Sequence, residues 1–113
     1  MTTRHTDNAR ARKRLGDKRL LAFLKHVHQR PGEPLACQLF HEALERGETL
    51  EALFNGPGES GFFVETRRTG GGWWRINFGY VAGPMTGDGV DQEVKFNRAG
   101  EVEETGSVSC WIS

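Results

Sequence analysis

The hydrophobic period of this 113-residue chain changes once, near residue 60. Before that point apolar residues recur three and four apart; after it they alternate. The first pattern makes one apolar stripe on a helix, and the second makes one apolar face on a strand. A helical half followed by a strand half, each with one face to bury, leaves few ways to fold. The simplest packs the helices on one face of an antiparallel sheet, an α+β two-layer sandwich.

The clearest helix spans residues 17–29. Leu20, Phe23, Leu24 and Val27 share a stripe, and Arg30-Pro31-Gly32 ends it. Upstream, Asn8 to Lys18 is rich in Ala, Arg and Lys and favours helix. Gly16 interrupts that run, and Asp17 is placed to cap the helix after it. A second main helix starts at Glu33-Pro34 and stops at Gly47. Leu35, Ala36, Leu39, Phe40, Ala43 and Leu44 form its apolar side, with Cys37 on the face of Phe40 and Leu44. Thr49 caps a short helix, Leu50 to Phe54, and Asn55-Gly56-Pro57-Gly58 breaks the chain.

Four strands come next: residues 61–68, 73–82, 90–97 and one within 101–113, with 83–89 as a loop. Even-numbered residues from Phe62 to Ile112 supply the apolar face, including Trp74, Phe78, Val90, Val108 and Cys110. Odd-numbered residues such as Glu65, Arg67, Arg75, Asp91 and Lys95 supply the polar face. Antiparallel partners share a face, so paired residue numbers must agree in parity. An Arg98-Ala99-Gly100 loop pairing Asn97 with Glu101 meets that condition and puts glycine where a left-handed residue is needed. The first hairpin needs a loop of odd length or a bulge around Gly70-Gly71-Gly72, and Gly106 marks a bulge in the last strand.

The expected fold is therefore one domain over residues 1–113. Two main helices and a short one pack on a four-stranded antiparallel meander, with residues 1–16 as a basic arm free to be flexible. In broad outline this order resembles cystatin-like and β-lactamase-inhibitor-like sandwiches.

Formal net charge is zero, but its distribution is uneven. Residues 1–30 hold nine Lys/Arg against Asp7 and Asp17, and the rest of the chain holds six against thirteen Asp/Glu. A basic arm on an acidic body restricts any phosphate-backbone contact to the arm. Its candidates for nucleic acid are Arg10, Arg12, Lys13, Arg14, Lys18 and Arg19. No stretch is long and apolar enough to span a bilayer, and no secretory leader is read at the N-terminus. With only two cysteines, Cys37 and Cys110, both expected to face inward, the sequence points to the cytoplasm and free thiols.

Three aromatic residues break the polar face: Phe63, Trp73 and Trp111. With Arg67 and Arg75 on the same face they are candidates for protein contact, as Trp and Arg concentrate at binding hot spots. Tyr80, Gln92 and Glu104 interrupt the apolar face and are candidates for a ligand pocket. If the sheet curves into a cone, the topology resembles the nuclear-transport-factor-like group. That resemblance implies Tyr80 as a hydrogen-bond donor and Glu104 as a base.

No metal or cofactor is expected. His26 and His28 diverge on a helix, and His41 with Glu45 offers only two ligands. Asp88-Gly89-Val90-Asp91 lacks the remaining ligands of a calcium loop and reads as a turn. The triple glycine joins two strands and no Gly-Lys-Ser/Thr succeeds it. The function expected is a binding module rather than an enzyme. Its partner is another protein or a second copy of itself, docked on the polar sheet face or the exposed last strand, as in modulator or immunity proteins. The alternatives are a ligand-binding or lyase/isomerase cone, and nucleic-acid contact by the arm.

Overall fold

Local stops and caps divide the N-terminal half into four helices: α1 (Arg4–Leu15), α2 (Asp17–His28), α3 (Leu35–Glu45) and α4 (Leu50–Phe54). They precede β1 (Gly61–Gly70), β2 (Trp73–Gly83), β3 (Thr86–Phe96) and β4 (Val102–Ile112). The computed structural model describes residues 4–29, 32–54, 61–83 and 86–112. The expected breaks at Arg30-Pro31 and at Asn55 to Gly58 lie outside them, as do Pro84 and Met85. The strands form one antiparallel sheet in the order β1-β2-β3-β4, and the helices lie N-terminal to it. This is the α+β two-layer arrangement that the change of period implies. No helix among the described residues is long and apolar enough to cross a membrane.

Gly16, not Asp17, is the N-cap of α2. Asp17 begins the helix and its carboxylate accepts from Arg12 at 3.2 Å. The start of α3 is capped from a distance. Asp88 of β3 accepts hydrogen bonds from the Leu35 and Ala36 amides at 2.7 and 3.0 Å. Those amides are unpaired within the helix, and an anion there also suits the helix dipole. This contact corrects the expected loop over 83–89: Asp88 is anchored on α3 and pairs with Tyr80, so the ladder continues to Thr86.

The turns obey parity. Asn97 donates to the Glu101 carbonyl at 2.9 Å and Gly100 to the Asn97 carbonyl at 3.0 Å, with Gly100 at φ 84°. Only glycine enters that region without strain. In the first hairpin the register shifts between Arg68 and Gly70, a bulge that the parity condition called for.

Four phenylalanines knit the layers together. Phe40 of α3 lies 5.8, 5.4 and 5.3 Å from the rings of Phe54, Phe62 and Phe78. Each buried ring contributes roughly 1.5–3 kcal/mol relative to exposure. Leu20, Phe23, Leu24 and Val27 of α2 complete the core against Val90 and Val94.

The free edge of β1 is closed by α1. Asn8 is 2% exposed. Its amide donates to the carbonyls of Phe62 (3.3 Å) and Phe54 (3.0 Å), and its oxygen accepts from the Val64 amide (3.0 Å). One side chain thus bridges alternate residues of β1, as a paired strand would. Arg14 donates to the Thr66 carbonyl at 3.3 Å, one step along the same strand. Ala11 and Leu15 bury the rest of the helix face.

Asn8→Ala strands a buried strand amide and two carbonyls, at about 1–3 kcal/mol for each unsatisfied group. The expected result is a loss of about 2–4 kcal/mol and a fall in Tm of ~10 °C or more by calorimetry. An unchanged Tm would mean that α1 does not close the edge.

Candidate functional site

On the outer sheet face, Phe63, Gly79, Gly89 and Trp111 stand in one row across all four strands. The Trp111 indole lies flat across the two glycines. A Cβ on either would come within 2.6 Å of its Cζ2. The ring reaches Phe63, with centroids 5.7 Å apart, and its Nε1 donates to Asn77 Oδ1 at 3.0 Å. Asn77 in turn donates to Glu65 at 3.2 Å. Phe63 is thereby only 7% exposed. These two candidates cover each other rather than stand free as anchors.

The other outer-face candidates are dispersed. Arg67 and Arg75 are register partners, and Arg75 is bound to Asp91 at 2.9 Å. Trp73 lies at the opposite end of β2 and leans towards Gly106 of β4, where a Cβ would meet it at 3.6 Å. Arg67 is exposed and Trp73 half-buried.

The three ligand-pocket candidates do not converge. Tyr80 packs on Phe62 at 5.0 Å. Gln92 is fully buried on the inner face. Glu104 is on the outer face: it pairs with Lys95 in register, and their side chains lie 3.6 Å apart. Two register shifts in β4 reverse its parity between Val102 and Val108, so Glu104 turns outward and Thr105 inward. The Tyr80–Glu104 acid–base arrangement therefore has no geometric basis.

The basic candidates lie along α1 and α2. Arg12 is paired to Asp17, and Lys18 packs beside the Gly100 turn. Arg10 and Lys13 are exposed on α1. Arg14 and Arg19 come together in a hollow also lined by Arg68 and Trp74, two residues that the sequence did not single out. His41 stacks on His28 at 4.0 Å and meets the Leu24 carbonyl at 3.2 Å, and His28 pairs with Glu33 at 2.8 Å.

The largest departure from expectation is on β4. The helices cover the inner face of β1 to β3, and of the apolar residues of the last strand Val102, at its start, packs against the core. Val108 is 42% exposed, Ile112 is 87% exposed, and Cys110 is exposed as well. All three were expected in the core. Beside them a groove of about 100 Å³ runs between β4 and the α2–α3 connection, lined by Val27, Glu33, Pro34, Val90, Gln92 and Val108 among others. Neither atom of the Gln92 side-chain amide has a hydrogen-bond partner among the described residues. Cys37 is buried beneath this region. Burial first, and the nearby Glu33 and Asp88 charges second, push its thiol up to about 12.

The chain is thus an α+β sandwich with one sheet edge closed by α1 and, among the described residues, the other open. No protein-family model, curated protein or solved structure matches it.

Trp111→Ala uncovers Phe63 and leaves two glycines bare, so it is expected to cost about 2 kcal/mol in stability, below the range for a fully buried Trp. Trp73→Ala, at the half-buried site, is expected to cost ~1 kcal/mol or less. Urea unfolding checks both, and equal losses would contradict the asymmetry between the two rings.

Proposed function

We propose that this chain is a protein-binding module that receives an extended segment of a partner along the C-terminal half of β4. The observation that carries this is the exposure of Val108, Cys110 and Ile112 on a strand with no neighbouring strand on its far side among the described residues. An edge strand offers unpaired amides and carbonyls, and strand addition uses them for affinity while side-chain pockets give specificity. The two halves of β4 differ. Near its start it carries Glu103, Glu104 and two bulges, features that discourage pairing. From Ser107 to Ile112 it has no charge, proline or glycine. A partner strand there would flank the apolar row and pair the free backbone groups of β4. The occupant is another protein or a second copy of this chain. A cytoplasmic location fits the two free thiols, since a reducing compartment keeps such cysteines unpaired.

The test compares wild-type protein with a Val108→Lys/Ile112→Lys double variant. Light scattering reads self-association, and affinity capture with each as bait reads other partners. Both substitutions are at exposed positions, so the Tm is expected to move by only a few degrees. The expected outcome is that association present in the wild type falls at least tenfold in the double variant and survives Arg67→Glu. Association that survives the double variant and is lost on Arg67→Glu would place the contact on the outer sheet face instead.

A further inference from the structure

At the end of the sheet away from Asp88, three arginines converge without a carboxylate. Arg14 comes from the end of α1, Arg19 from the first turns of α2 and Arg68 from the end of β1. They line a hollow of about 180 Å³ with Gly72, Trp74, Phe96 and Asn97. The Arg19 and Arg68 guanidinium carbons lie 5.7 and 5.5 Å from the Trp74 ring centroid. Arg14 is tethered to the Thr66 carbonyl and Arg19 to that of Leu15, both at 3.3 Å. Among the described residues none of the three has an ion pair, whereas Arg12, Arg46, Arg75 and Lys95 each meet a carboxylate. Arg14 and Arg68 are exposed and Arg19 is half-buried, so water screens their mutual repulsion, and the positive potential they share in the hollow favours an anion there.

We propose that this hollow is an oxyanion site that takes a dianionic phosphate, either the free anion or the terminal group of a small molecule. Guanidinium groups present planar donors that match phosphate oxygens, and stacking on Trp74 fixes two of them in orientation. The volume is below the several hundred Å³ of pockets that enclose whole organic ligands, so the site grips a head group and leaves the remainder outside. Trp74 is 4% exposed and already faced by two arginines, so it positions the donors and offers no platform for a stacked base. That favours a terminal phosphate over a nucleic-acid strand. The site is distinct from the β4 groove and does not depend on it.

The test is titration of the intact protein with orthophosphate and with phenyl phosphate at fixed ionic strength, monitored by the NMR signal of the Trp74 indole N–H and by calorimetry. Saturable binding is expected, with chloride inert and sulfate weaker. Arg19→Gln and Arg68→Gln are each expected to weaken it at least tenfold, and Arg68→Lys, which keeps the charge and loses the planar fork, by several-fold. Arg10→Gln, outside the hollow, is expected to leave it within twofold. Tighter binding of phenyl phosphate would assign the site to a phosphorylated molecule, and tighter binding of orthophosphate to the free anion. No saturable response, equal binding by all variants, or a response only to a single-stranded oligonucleotide would overturn the proposal.

Discussion

A four-stranded sheet has two edges, and each presents backbone groups that need a partner. In this chain the β1 edge is closed from within by Asn8, whose single amide bonds to Phe62 and Val64 while also holding the Phe54 carbonyl. That contact fixes the position of α1, and α1 ends at the Gly16 elbow from which α2 crosses the sheet. Helix cover is thereby committed to β1, β2, β3 and the start of β4. The apolar row at the end of β4 lies beyond it, and the open edge is a geometric consequence of closing the other one.

The same arrangement sorts the charges. Placing α1 along β1 brings Arg14 to the edge near Thr66, and the turn into α2 brings Arg19 back towards Trp74. Arg68 arrives from the sheet itself. On the outer face, by contrast, Arg75 and Lys95 are matched by Asp91, Glu103 and Glu104. The basic N-terminal region is thus partly neutralised, at Arg12, and partly gathered into one cluster that has no ion pair among the described residues.

Much of the fold was legible because period and parity are local rules. The helical stripe of α2, the Gly100 turn and the even-numbered face of β1 to β3 result from side-chain direction alone. Glu104 was misplaced because a bulge adds one residue and reverses every face until a second bulge restores it; Gly106 signalled the second, and nothing marked the first, near Glu103. Val108, Cys110 and Ile112 have the pattern of core residues. Their exposure depends on how far the helices extend over the sheet, which periodicity does not encode. Phe63 and Trp111 looked like free anchors because the two glycines that let the indole lie flat, Gly79 and Gly89, are on strands between them. Arg14 and Arg19 were visible as charge, but their meeting with Arg68 and Trp74 is a product of the tertiary fold.

The central claim is the difference between the two edges, and native-state hydrogen exchange at low protein concentration measures it directly. The Val64 amide, bonded to Asn8, is expected to be protected to nearly the stability of the whole fold, as core amides are. The outward-pointing amides of residues 107–112 are expected to exchange orders of magnitude faster. Equal protection on β4 in the isolated monomer, or rapid exchange at Val64, would contradict the account.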